Sequence, residues 1–161
     1  MTTMKLNRYL LGSTLVAALG GFLFGFDTAV IGGTEKALRA LFALSSGQWG
    51  FTVASALIGT ILGSLAVGWP AERFGRKPVL VALAVLYFVS ALGCGLATNW
   101  EMLLIFRFLE GLAIGAASVV SPMYIAEIAP PESRGRLVAV SQLNIVTGIL
   151  VAYASNFAIA A

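Results

Sequence analysis

Two ionisable residues stand inside apolar runs: Asp27 within Leu10–Gly33, and Arg107 within Met102–Tyr124. In a bilayer core such a side chain costs at least about 2.5–3.5 kcal/mol, so one found there faces a protein interior or a water path and has a partner. Opposite signs on separate runs make each the natural partner of the other. A carboxylate beside a guanidinium in a wet cavity suits proton coupling. Burial and a neighbouring cation act in opposite directions on a carboxylate's hold on a proton, so a change of conformation alters proton affinity. The alternative is a static buried pair that only fixes helix packing. Glu110 complicates the pair, because it follows Arg107 by three residues and shares its helix face. It competes with Asp27 for the guanidinium, or pairs with a helix beyond these residues.

The elements that must position these groups are apolar helices. The chain has 161 residues, 59% hydrophobic and 11% charged. A soluble domain carries about a quarter charged residues, so this composition belongs to a membrane protein. A spanning helix needs about 20 mostly apolar residues. Five segments qualify: residues 9–32, 49–69, 79–97, 102–124 and 137–160. All are expected to be helices, since open strands leave backbone groups unsatisfied in lipid. Short charged connections and the lack of a Ser- or Pro-rich linker point to one unit over residues 1–161.

There is no His and only one Cys, Cys94, so metal centres, a disulfide framework and Cys–His catalysis drop out. Cys94 reads as a small packing residue. No cofactor is expected, and with no nucleophile–base constellation an enzyme is the least favoured class. The net charge of +3 does not signal nucleic acid, because the basic residues cluster at the ends of the apolar runs. Lys5 and Arg8 before the first run imitate a signal peptide, but the run outlasts a normal apolar core and has no well-placed small-residue cleavage site.

Orientation follows from Lys and Arg. With the N-terminus inside, the cytoplasmic side holds seven (Lys5, Arg8, Arg73, Arg76, Lys77, Arg134 and Arg136) and the opposite side two, Lys36 and Arg39. The N-terminus is therefore expected in the cytoplasm. Five spans then leave the C-terminus outside, ending at Ala161 without a polar tail, which reads as a fragment or a chain needing a second piece. Asp27 lies about five residues inside one outer helix end and Arg107 about six inside another, so both sit roughly 8 Å below the outer surface.

Pairs four apart, Gly21 with Gly25, Gly59 with Gly63, and Gly111 with Gly115, make small-residue faces that let helices approach. Gly20–Gly21 and Gly32–Gly33 also permit bending. Between spans 2 and 3 the turn Gly68–Pro78 carries Glu72-Arg73-Phe74-Gly75-Arg76-Lys77. There Gly75 permits a positive φ and Pro78 can open the next helix. After span 4, Pro122 kinks or ends the helix. Glu127 and Arg134 then reach the cytoplasmic surface near that turn. Exposed ion pairs are individually worth about 0–1 kcal/mol, yet a cluster that forms in one conformation and breaks in another acts as a latch. The plain alternative is a solvated loop.

At these residues the sequence resembles the sugar porter family of the major facilitator superfamily. Gly20-Gly21-Phe22-Leu23-Phe24-Gly25-Phe26-Asp27 is similar to the family's first helix, and the Gly68–Pro78 turn to the superfamily's loop signature. Arg107, Gly111 and Gly115, followed by Pro122-Met123-Tyr124, Glu127 and Arg134-Gly135, resemble its span 4 signature, and Gln142-Leu143 with Gly148 its span 5. The likeness covers the whole chain but only the first five of the family's twelve helices. It implies an all-α membrane fold, most of the N-terminal six-helix half, with the C-terminal half absent.

The resemblance implies an alternating-access carrier importing a monosaccharide, a pentose or hexose, across a plasma membrane, its site lying between two halves. The bacterial inner membrane is a reading from the compact loops. It makes Asp27 the proton-coupling acid and Arg107 its partner, Gln142 a hydrogen-bonder to sugar hydroxyls, and Phe24, Ile145 and Ile149 pocket lining. Glu72, Arg73, Arg76, Glu127 and Arg134 become the cytoplasmic charge network. An acid at position 27 is similar to the proton-driven members. Ile149 stands where some members carry a second glutamine, and Glu72 where the loop more often has Asp. Glu110 has no usual counterpart. Sugars need amide and hydroxyl partners and an aromatic face. Gln142, Asn144, Thr147 and Tyr153 offer such groups, although interhelical hydrogen bonds would also occupy Asn144 and Thr147. A passive sugar facilitator and a truncated, non-transporting membrane protein are the competing readings. The expected partners are the sugar, a proton, the lipid bilayer and the missing helices, so these residues alone form one wall of a two-walled pocket.

Overall fold

A computed structural model describes residues 8–160. Its elements are α1 (Arg8–Leu41), α2 (Ser46–Ala66), α3 (Gly68–Phe74), α4 (Arg76–Gly95), α5 (Trp100–Ile128) and α6 (Arg134–Ala160). Among the described residues there is no strand. By length and composition α2, α4, α5 and α6 can each cross a membrane. Lys5 of the basic cytoplasmic set lies outside the described residues.

Three boundaries differ from the hydropathy pattern, each for a local reason. Hydropathy bounds the first span at residue 32, but α1 continues to Leu41 and is 34 residues long. The extension Thr34–Leu41 is polar yet helix-favouring, and Glu35 and Arg39 pair across one turn at 3.2 Å. Hydropathy marks where lipid ends, not where hydrogen bonding ends. The turn after span 2 contains a two-turn helix, α3, with Pro70 in its first turn and Ala71-Glu72-Arg73 behind it. Pro122 does not end α5, which runs through it to Ile128. In a bundle, neighbouring helices and side chains compensate for a backbone bond that proline removes.

Local signals set the other ends. Ser45 Oγ accepts the Gln48 N–H while Gln48 Oε1 accepts the Ser45 N–H, a reciprocal cap that starts α2. Asn99 Oδ1 accepts the Met102 N–H at 2.8 Å and starts α5. Gly75 at φ +86° breaks α3 from α4, a backbone angle that a side chain resists.

Helix α5 is the hub, packed against α1, α2, α4 and α6. It buries Arg107, Glu110, Gly111, Ala113, Gly115, Val120 and Ile125 among others. Glycines bring backbones together in two places. A Cβ at Gly59 or Gly63 would strike the α5 carbonyls of Phe108 or Leu112, and one at Gly111 or Gly115 would strike the α2 carbonyls of Ala56 or Thr60. A Cβ at Gly25 would strike the Ile145 carbonyl, and one at Gly148 the Phe22 carbonyl, so α1 and α6 are as tightly joined. Two sub-bundles result, α1–α6 and α2–α4–α5, facing each other along a seam between α1 and α5. The opposite faces of α2, α4 and α6 carry exposed Leu, Ile, Val and Phe.

This packing predicts that Gly111→Leu melts about 5 °C or more below the parent in detergent. Gly50→Leu, at a helix position with open space around it, should melt with the parent. Equal melting of the two variants would contradict the backbone-to-backbone packing of α2 on α5.

Candidate functional site

The seam holds the two charges. Arg107 Nη1 donates to Asp27 Oδ1 at 2.5 Å and to Glu110 Oε2 at 3.0 Å. All three are buried, with exposures of 8% for Asp27, 6% for Arg107 and 5% for Glu110. Asp27 comes from α1 and the other two from α5, so one guanidinium nitrogen ties the sub-bundles together. Glu110 therefore competes with Asp27 for the guanidinium. The Cys94 thiol of α4 donates to the same Glu110 oxygen at 3.6 Å. Arg107 Nε is buried without a hydrogen-bond partner among the described residues. An uncompensated buried charge costs about 3–5 kcal/mol, so removing an anion from this cluster bears directly on how the sub-bundles hold together.

A recess opens on the same seam, lined by Gly21 and Phe24 of α1, Ser118, Ser121 and Pro122 of α5, and Gln142 and Ile145 of α6. Three residues singled out for the sugar pocket, Phe24, Gln142 and Ile145, thus come together. Gln142 is exposed, leaving its amide open to a ligand. Ile149 is half-buried one turn further along α6 and does not line the recess. Ser121 Oγ is buried and unpartnered among the described residues. Phe24 precedes Asp27 by three residues and Gly21 precedes it by six, so Asp27 lies within about two turns of the recess on α1.

The other polar residues proposed for span 5 have different surroundings. Thr147 donates to the Leu143 carbonyl of its own helix, and Tyr153 points outward. Asn156, which sequence reasoning passed over, donates from Nδ2 toward the Ala29 and Val30 carbonyls at 3.3 and 3.5 Å. It clamps α6 to α1 just beyond Asp27. Ser118 and Ser121 were also missed. Their spacing of three on the Gly111–Gly115 helix was the available signal, but small hydroxyls on an apolar helix usually satisfy themselves.

At the end of the bundle that carries the turn, Arg76 Nε lies 2.8 Å from Glu127 Oε1, and its Nη1 donates to the Ala71 carbonyl at 2.9 Å. The pair joins the start of α4 to the end of α5. Glu72, Arg73 and Arg134 are exposed and form no ion pair among the described residues. The Arg73 guanidinium instead lies over the Trp69 ring, 5.4 Å from its centre, with Phe74 at 5.9 Å.

The family model described as "Sugar (and other) transporter" matches residues 13–161. The chain is 49% identical over 146 residues to the glucose transport protein of Synechocystis sp., covering 90% of this chain and 31% of that protein. It is 40% identical to the D-xylose-proton symporter of Escherichia coli K12, covering 99% of this chain and 38% of the relative. The inward-open structure of the xylose transporter XylE from Escherichia coli superposes with a TM-score of 0.86 at 41% identity, over 94% of this chain and 40% of that one. The chain thus spans about a third of the length of the relatives it matches. With its helical seam, buried Asp–Arg pair and the recess beside Gln142, the chain belongs to the sugar (and other) transporter family, the sugar porters of the major facilitator superfamily.

Proposed function

We propose that this chain works within a proton-coupled carrier that imports a monosaccharide by alternating access, with α1, α2, α4, α5 and α6 as five membrane spans. The observation that carries this reading is the Asp27–Arg107 pair across the α1–α5 seam, with Asp27 within two turns of the recess residues Gly21 and Phe24 on α1. The matched relatives named for glucose transport and for D-xylose–proton symport support it.

In this mechanism the ionised Asp27 holds the Arg107 guanidinium and keeps α1–α6 against α2–α4–α5. A proton on Asp27 removes its charge and leaves only a weaker hydrogen bond from the Arg107 cation to a neutral carboxyl group across the seam. The seam inside this wall of the pocket then loosens, and movement of the wall against the carrier's other half changes the side on which the recess opens. Gln142 supplies an amide that both donates to and accepts from sugar hydroxyls, and Phe24 offers an apolar face to the sugar's C–H surface. The Arg76–Glu127 pair lies at the proposed cytoplasmic end. It is partly exposed, so it makes and breaks at low cost and biases the conformations without locking them. The basic residues flanking the spans support a cytoplasmic N-terminus in a multi-pass membrane protein, with the bacterial inner membrane as the proposed location. No part of this reading calls for a metal, a cofactor or an enzymatic step.

Three measurements test it. In vesicles holding the complete carrier, sugar-driven external alkalinisation should vanish in Asp27→Asn, while sugar counterflow, which needs no net proton movement, continues. Unchanged alkalinisation would leave a passive facilitator as the better reading. Gln142→Ala should raise the KM for uptake about tenfold, as expected for one lost polar contact to a sugar, and an unchanged KM would remove Gln142 from the binding wall. Arg76→Glu should slow uptake by a few-fold, and adding Glu127→Arg should recover part of the rate; no recovery would deny the pair a latch role.

A further inference from the structure

We propose that Glu110 is the standing counter-ion of Arg107, the carboxylate that holds the guanidinium while Asp27 takes up its proton. The proposal rests on the proton-coupling reading of Asp27. Both acids meet the same guanidinium nitrogen, Nη1, at 2.5 and 3.0 Å. With both carboxylates ionised the trio carries one net negative charge, and with a proton on Asp27 it carries none. A lone Asp27–Arg107 pair would behave differently: its protonation would strand a buried guanidinium.

Position divides the work between the two acids. Asp27 stands on α1, across the seam, whereas Glu110 stands on α5 with Arg107 and is also tied to Cys94 of α4. When a proton on Asp27 weakens the contact across the seam, Glu110 still holds the guanidinium from within α5. No other acid among the described residues stands in for it. The titratable groups near the cluster are Asp27 from α1 and Tyr87 and Cys94 from α4. Helix α2 carries no titratable side chain, and Tyr153 of α6 is exposed.

The test is a set of variants of the complete carrier, read by melting temperature in detergent and by sugar-driven alkalinisation in vesicles. Asp27→Asn with Glu110→Gln should melt roughly 5 °C or more below the sum of the single-variant shifts, since only the double variant leaves Arg107 with no anion. Adding Arg107→Gln should recover most of that loss, which removal of a packing contact would not allow. Glu110→Gln alone should lower alkalinisation by about tenfold or more, and Glu110→Asp, which keeps the charge, should restore most of it. Additive melting shifts, no recovery on adding Arg107→Gln, or alkalinisation in Glu110→Gln equal to the parent would each overturn the proposal. If Glu110→Gln does not fold, a folded Glu110→Asp supports the charge role and an equally unfolded one overturns it. Alkalinisation that survives Asp27→Asn defeats the coupling reading, and the melting comparison then still decides whether Glu110 neutralises Arg107.

Discussion

A guanidinium cannot be neutralised by losing its proton, so wherever the bundle buries Arg107 it must supply an anion. That requirement organises the seam. Arg107 sits on the most heavily packed helix, α5, and draws one carboxylate from α1 and another from its own next turn. The first contact crosses between sub-bundles and the second does not. A single hydrogen-bonding centre therefore joins two bodies while remaining anchored in one of them. The α1–α5 boundary holds the buried charges, and the recess bearing Phe24 and Gln142 opens on the same boundary.

The remaining polar side chains explain why that centre stands out. Most hydroxyls on these helices donate to a carbonyl three or four residues back: Thr28 to Phe24, Thr60 to Ala56, Ser90 to Leu86 and Ser155 to Ala152. Such side chains are satisfied within one helix and say nothing about its neighbours. The polar groups that reach across helices are few. Thr52 accepts from the Trp100 indole at 2.9 Å and pins the start of α5 to α2, and Asn156 pins α6 to α1. Those contacts and the glycine faces make the sub-bundles internally stiff. Among the described residues one charged contact, Asp27 with Arg107, joins these two close-packed bodies.

How much of this could be read from the chain varies with the range of the interaction. The helices and their apolar faces were legible, because backbone satisfaction in lipid leaves helices as the only outcome for long apolar runs. The Asp27–Arg107 pairing was legible from sign and depth. The extension of α1 past Gly32, the helix α3 and the passage of α5 through Pro122 were not, because hydropathy is silent on polar helix and proline is read as a break. The loop set of Glu72, Arg73, Arg76, Glu127 and Arg134 looked like one network, yet only Arg76 and Glu127 meet as opposite charges. Arg73 turns to Trp69 instead, since an exposed cation gains as much from an aromatic face as from a solvated carboxylate.

Local rules, the cost of charge in lipid and the spacing of glycines, establish from the residues alone that this chain is a bundle of spanning helices with an acid and a base buried at one level. Which faces meet is a matter of long-range packing. That Glu110 and Asp27 reach one nitrogen of Arg107, that Phe24, Gln142 and Ile145 surround one recess while Ile149 stands aside, and that the bundle parts into α1–α6 and α2–α4–α5, follow from the rotation of each helix about its axis. Sequence spacing defines a face only relative to its own helix, and its direction in space comes from the backbones that approach at Gly25, Gly148, Gly59 and Gly111.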